Sequence, residues 1–269
     1  MRHHVKVVVL SYNHPELTER TLKSVQLHFS DPEILLVHNG SLVQHQTRLQ
    51  ESFPKIEHLQ IENNRGYPGG ANAGLKQAFQ NSEWVLFLTN DCQLLEWQTP
   101  PTPGLIAPLI WARKIGRVDS LGGSFEIHRA HLSHCKSEEE FSKAENSYVP
   151  GTAFWLHRDI FNSVGGFDES LEMFWEDVDF SLRVAQAGYP LQTDSKTQIL
   201  HAVGKTTHKN SHYTTYLFQR NRKRISLKYA KKNWPVYFHL SKSWGRLGWI
   251  HLRRGDFAKL RLLHKAICD

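Results

Sequence analysis

Cysteine is scarce: Cys92, Cys135 and Cys268 are the only three in 269 residues, an odd number set far apart. They form neither a disulfide framework nor a metal-type pair, and such usage fits a reducing compartment. Long apolar runs are missing too. Val7 to Leu10, after the polar start Arg2 to Lys6, is too short for the core of an export signal and passes directly into a strand pattern. No stretch reaches the ~18 apolar residues of a membrane-spanning helix. The expected location is therefore cytoplasmic, with at most a peripheral seat on the inner face of the plasma membrane. Repeats of fixed period and low-complexity tracts are also lacking, which excludes solenoid architectures.

What is present is a folding composition, 40% hydrophobic and 22% charged, in a chain long enough for one α/β core. The net charge of +7 is unevenly placed, because Tyr216 to Asp269 holds 14 Lys and Arg against two acids. A net acidic body thus carries a basic tail. Such a tail complements closely spaced negative charge: anionic lipid, a phosphorylated substrate or nucleic acid. The sequence contains no recognisable nucleic-acid module, so nucleic acid is not an expected partner. Trp234, Tyr237, Phe238, Trp244 and Trp249 lie among those charges. Two readings fit them, an interfacial surface beside anionic headgroups or an amphipathic cover helix with its aromatics turned inward.

The first ninety residues alternate strand and helix. Val5 to Ser11 is a β-branched run, followed by a turn and a helical pattern through Leu17, Leu22 and Val25. Strands are expected at Ile34 to Val37, Ile56 to Ile61 and Trp84 to Leu88, with a helix over Gly69 to Phe79. This order predicts a parallel sheet whose ligands sit at the carboxyl ends of its strands. Beyond the proline-rich 100–103 stretch the pattern is irregular and strand-rich to Arg158. Helices return at Arg158 to Val164 and Glu176 to Ala187, a strand at Lys196 to Leu200, and a mostly helical tail follows Tyr213.

Four clusters could carry chemistry. Asn64 to Gly74 is glycine-rich and opens a helix, which suits either close backbone approach to a diphosphate or tight helix packing. Asp91 ends a buried strand, where a carboxylate can hold a divalent ion completed by diphosphate oxygens or can cap a turn. Glu176, Asp177 and Asp179 open a helix after Trp175. There acids can serve catalysis or simply complement the helix dipole, with Asp179 paired to Arg183 one turn on. His201 closes a strand downstream of that helix and is the best placed of 17 histidines.

In this order, the segments Val7 to Asn13, Leu36 to Ser41, Asn64 to Gly74, Thr89 to Asp91 and Gly165 through Asp179 resemble glycosyltransferase family 2. Within it they resemble the rhamnosyltransferase-like and galactofuranosyltransferase-like members. The resemblance runs from Val5 to His201. It implies an inverting enzyme of the GT-A fold: α/β, with a mostly parallel central sheet, flanking helices and a basic helical C-terminal extension. Residues 1–212 would form the catalytic domain, and 213–269 would pack on it or on a membrane.

The resemblance further implies that Ser11, Tyr12, Asn13, His38 and Asn39 line the base and ribose of a dTDP- or UDP-sugar. Arg65, Gly70, Asn72, Asn90 and Asp91 would complete the donor site. Asp91 and His201 would hold Mg²⁺ or Mn²⁺, Asp177 would be the general base with Glu176 beside it, and Trp175 and Glu176 would meet a saccharide or lipid-linked saccharide acceptor in cell-surface polysaccharide synthesis. His38 stands where the family usually has Asp, and Thr89 where Asn or Asp often begins the metal signature. These departures also admit an alternative, a catalytically decayed nucleotide-sugar-binding subunit.

Overall fold

In the computed structural model, residues 4–29, 31–112, 117–202 and 212–269 are described. The strands β1 (Val5–Ser11), β2 (Glu33–Asn39), β3 (Glu57–Ile61) and β4 (Trp84–Thr89) alternate with helices α1 (Pro15–His28), α2 (Val43–Ser52) and α3 (Gly66–Ala78). They pair in the order β3-β2-β1-β4, all parallel. Parallel strands covered on both faces need continuous apolar runs, and that is how β1, β2 and β4 read. Val7, Val9, Leu36 and Leu86 pack against Leu22, Val25 and Leu49 of α1 and α2. Their sequence neighbours Val8, Leu35, Val37 and Phe87 face the other way, onto Ala71, Leu75 and Ala78 of α3. Helix α2 was not expected, because among its residues only Leu49 is buried and the rest carry no apolar stripe.

Past β4 the pattern changes. The sheet continues through β5 (Cys92–Glu96), β6 (Leu105–Ala112), β7 (Arg117–Ser120), β11 (Ala153–His157) and β12 (Leu191–His201). Strand β11 lies antiparallel between β4 and β6, β6 is parallel to β12, and β5 and β7 pair antiparallel at the margins. The expected mostly parallel character therefore holds in the first half only. Parallel pairing requires a helical crossover, and between β6 and β11 the only helix of more than three residues among the described residues is the short α4 (Glu138–Ser142). A small sheet of β8 (Gly123–Glu126), β9 (His131–His134) and β10 (Ser147–Tyr148) stands apart, in the order β10-β8-β9.

Two reversals, at β11 and again at β6, turn the chain back to the direction of β4, and β12 follows β6. Hence the carboxyl end of β12 lies on the same edge of the sheet as those of β1, β2 and β4. Helices α5 (Arg158–Val164) and α6 (Glu176–Gln186) cover the α3 face through Ile160, Phe180 and Val184.

The tail folds as α7 (His212–Tyr229), α8 (Asn233–Arg253) and α9 (Phe257–Cys268). Ile225 of α7 joins a cluster with Phe125, Trp175, Val178 and Leu182. Val236, Leu240 and Trp244 of α8 pack with Ala130 and Leu263. The two readings of the tail aromatics thus divide between them. Trp244 turns inward and donates its Nε1–H to Gln219 Oε1 at 3.0 Å, while Trp234, Tyr237, Phe238 and Trp249 stay exposed.

Candidate active site

Loops from both halves of the sheet enclose a cleft of about 670 Å³. Its lining includes Tyr12, Asn39, Asn90, Asp91, Trp175, Glu176, Asp177 and His201, so the two acidic segments and the histidine share one space. The topology explains this: Tyr12 follows β1, Asn39 ends β2, Asp91 follows β4 and His201 ends β12, all on one sheet edge. The acidic helix α6 enters from above that edge.

The remaining sequence candidates hold the walls rather than line the cleft. Asn39 does both, clamping the 64–66 turn by donating Nδ2–H to Asn64 Oδ1 and Gly66 O and accepting from the Arg65 N–H. Gly70 lets α3 approach, since a Cβ there would lie 2.7 Å from Leu10 Cδ1 and 2.8 Å from the Asn39 amide. Asn72 grips the 166–169 loop, accepting from Phe167 N–H at 2.8 Å and donating to Phe167 O at 2.9 Å. Arg65 forms a half-exposed ion pair with Glu169 at 2.8 Å. Ser11 is buried against the Thr18 hydroxyl at 2.8 Å. Asn13 adopts a left-handed backbone, φ 53°, and binds Ser41 and Leu42, fixing the turn behind Tyr12.

His38 departs most from expectation. Expected at the nucleotide base, it is fully buried, with Nε2 3.0 Å from His58 Nδ1. Burial, reinforced by His58, pushes its pKa down to about 4, so it is neutral at physiological pH. An imidazole in place of a carboxylate is thus absorbed by a buried histidine pair.

The other departure leaves the acid it flanks intact. The Thr89 hydroxyl lies 2.8 Å from Asp91 Oδ1 and orients it, while Asp91 Oδ2 lies 3.4 Å from His201 Nε2. Among the described residues no group of three or more His, Cys, Asp or Glu gathers as a closed metal cage. A carboxylate and an imidazole at this spacing fit a divalent ion whose other positions come from a diphosphate and water.

Asp177 Oδ2 accepts the Gly151 N–H at 3.0 Å and Oδ1 accepts its own helix's Val178 N–H at 2.9 Å. The Tyr67 hydroxyl donates to the carbonyl of the same Gly151, linking α3 to the acid.

A match to the model of glycosyl transferase family 2 covers residues 6–102. The N-acetylglucosaminyl-diphospho-decaprenol L-rhamnosyltransferase of Mycobacterium tuberculosis is 25% identical over 257 residues, covering 80% of this chain and 84% of that protein. Over residues 6–102 the chain is similar to glycosyltransferase family 2. It shares its fold with GalNAc-T7, solved with UDP, GalNAc and Mn²⁺: TM-score 0.64 at 17% identity, over 83% of this chain and 47% of that one. It likewise matches the mannosyltransferase PcManGT of Pyrobaculum calidifontis, solved with GDP-Man and Mn²⁺: TM-score 0.57 at 16% identity, over 100% of this chain and 75% of that one. The fold is GT-A.

Electrostatics separate the two adjacent acids that open α6. Burial lifts the Glu176 carboxyl well above its ordinary value, and the neighbouring Asp177 charge adds to the lift. Burial also raises Asp177, but the Gly151 and Val178 N–H groups pull it back in part. Glu176 Oε2 is buried with no hydrogen-bond partner. A shared proton therefore favours Glu176 and leaves Asp177 ionised. Asp179, by contrast, is spent on structure. Burial would raise its pKa, yet Lys228, Arg183 and Tyr229 outweigh that and hold it low. Trp175 lines the cleft while packing against Phe125, Leu171 and Val178, and its Nε1–H is buried without a hydrogen-bond partner.

The loop before α6 is strained. Glu172, Phe174 and Trp175 have φ of 62°, 68° and 72°, positions that each cost roughly 1–3 kcal/mol for a residue with a side chain. Gly66 lets the donor-side loop reach it, as a Cβ there would lie 2.4 Å from Glu172 O.

Tyr67, His134 and Tyr148 also line the cleft, as do Tyr213, Leu217 and Phe218 of α7, so the cleft does not end at residue 212. Sequence reading missed these residues, and with them Arg220 and Asn221, which hold the 170–174 loop from α7. One signal existed: asparagine is a poor helix former, and Asn221 in mid-helix marks a side chain with a tertiary partner.

Proposed function

We propose that this enzyme transfers a sugar, with inversion, from a dTDP- or UDP-linked donor to a saccharide or lipid-linked saccharide in cell-surface polysaccharide synthesis. The carrying observation is the common cleft of the Asp91–His201 pair and Asp177. The donor lies along the β1, β2 and β4 ends, its base beside exposed Tyr12 and its diphosphate near Asn90 and Asp91. A divalent ion held by Asp91 and His201, with the Mn²⁺ of the structural relatives as precedent, would neutralise the departing diphosphate. Asp177 takes the acceptor hydroxyl proton as that oxygen attacks the anomeric carbon. Glu176, holding its own proton at the cleft wall, keeps a second negative charge away from the base.

The lipid-linked acceptor is supported by the diphospho-decaprenol substrate that the mycobacterial relative is named for and by one face of α8. Trp234, Phe238, Trp249 and Leu252 recur at helical spacing on its exposed side, and Lys242 and Arg253 lie over the Phe238 and Trp249 rings. That pattern fits a helix resting in an anionic headgroup layer. Among the described residues no helix is long and apolar enough to cross a membrane. Purified protein assayed with a panel of nucleotide sugars and Mn²⁺ tests the reading. Transfer, or slow donor hydrolysis, is expected from a dTDP- or UDP-sugar, and silence across the panel would overturn it.

A further inference from the structure

The basic tail does more than cover the body, because one helix of it reaches the strained loop that ends in the acidic pair. Asn221 is fully buried in the middle of α7 and donates its Nδ2–H groups toward three carbonyls of that loop: Leu171 at 2.7 Å, Met173 at 2.9 Å and Phe174 at 3.0 Å. Arg220, also buried, reaches the carbonyls of Ser170 and Leu171 with Nη2, both at 3.1 Å, and Glu172 Oε1 with Nη1 at 3.1 Å. Its Nε donates to Asn221 Oδ1 at 2.9 Å, so the two side chains form one rigid unit.

The loop they hold could not keep its shape alone. The Met173 N–H bonds back to Leu171 O at 2.6 Å across Glu172, whose φ of 62° and ψ of −47° make a positive-φ γ-turn, the rare and strained kind. Phe174 and Trp175 follow in left-handed backbone, and Trp175 caps α6 without any side-chain cap of its own. With α7 in place but its donors removed, the turned-in carbonyls would stay covered and lose their partners, which disfavours this loop conformation. Immediately after the last strained residue come Glu176 and Asp177, so the direction of the first turn of α6 is set by this conformation.

We propose that Arg220 and Asn221 are positioning residues: from the C-terminal helix they impose the strained 172–175 backbone that aims Asp177 and Trp175 into the cleft. The proposal rests on the reading of Asp177 as base and adds to it that transfer depends on the tail even where no membrane is present.

The test uses the full chain, without vesicles, and a water-soluble acceptor. Asn221→Ala is expected to lower kcat at least 30-fold while UDP and dTDP, each with Mn²⁺, bind within threefold of wild type, because Tyr12, Asn39 and Asn90 are positioned by the ends of β1, β2 and β4. Adding Phe174→Gly to Asn221→Ala is expected to restore kcat at least fivefold, since glycine adopts φ near 68° without a Cβ penalty. A merely structural helix contact would give no such rescue. Wild-type kcat in Asn221→Ala, or a kcat loss matched by an equal loss of nucleotide affinity, would overturn the proposal. Should Asn221→Ala fail to fold, Arg220→Lys decides. It keeps the charge but loses the fork, and is expected to lose about tenfold in kcat with nucleotide affinity kept; wild-type kcat there overturns the proposal equally. Asp177→Asn is the control that separates the two readings. Full transfer in that variant removes the base assignment itself, whereas an inactive Asp177→Asn beside a fully active Asn221→Ala removes the positioning role alone.

Discussion

The two ends of the cleft are built by different means. On the proposed reading, the donor end rests on four parallel strands, of which β1, β2 and β4 are buried on both faces, and its polar residues sit in turns next to them in sequence. The acceptor end rests on a mixed half-sheet and on loop 165–175, which is held by partners as far away as Asn72, Arg220 and Asn221. Local sequence fixes the first; tertiary contacts fix the second. If the proposed roles hold, a rigid nucleotide platform is paired here with an acceptor wall held by a remote helix.

The largest effect that would sharpen this contrast comes from Asp91→Asn. It should cut kcat by roughly 10²–10³ and abolish the Mn²⁺ dependence of UDP or dTDP binding measured by thermal shift. A variant that loses activity while keeping that dependence would move the cation site away from the donor end. Next comes the seam between the halves. Phe87 on β4 stacks on Phe154 of β11 with ring centroids 4.8 Å apart and 10° between planes. Phe87→Ala should cost about 3–5 kcal/mol in a single cooperative transition followed by circular dichroism. Two separate transitions would break the picture of one core shared by both halves.

That contrast also explains what could be read in the sequence. Val7 to Leu10, Leu35 to Val37 and Val85 to Leu88 announce themselves as buried parallel strands, and Asp91 and His201 as strand-end residues, because in both cases the signal is local. Asp177 could be singled out from its helix-opening cluster. Not readable were the antiparallel insertion of β11, the burial of His38 against His58, and the support from Arg220 and Asn221. Each depends on which distant segment arrives alongside; mid-helix Asn221 signals that a partner exists but not which one. Asn39 and Asn72, expected at the donor, serve largely as clamps, since an amide side chain at a turn suits backbone groups and ligands alike.

Smaller effects test the electrostatics of the acceptor end. Because burial raises the Asp177 pKa, kcat/KM should fall on the acid side with a midpoint above the ordinary carboxylate range; a limb at or below the model-peptide value would contradict a desolvated base. Glu176 also has a raised folded-state pKa. Such a group favours the native state while protonated and costs stability once pH exceeds its unfolded value of 4.5. Glu176→Gln should therefore raise Tm by about 2–4 °C at pH 8 and give no gain below pH 4.5. An equal gain at both pH values would point to packing instead of charge. Last, Trp234→Ala with Trp249→Ala should weaken sedimentation with anionic vesicles while leaving transfer to a water-soluble acceptor unchanged. Loss of soluble transfer would show that α8 supports the fold and not a lipid contact.

The most direct measurement is the rate of sugar transfer by Asp177→Asn beside its affinity for UDP or dTDP in the presence of Mn²⁺. The account predicts a loss of roughly 10²–10⁴ in kcat with nucleotide affinity within threefold of wild type. Transfer at the wild-type rate would show that Asp177 takes no proton from the acceptor.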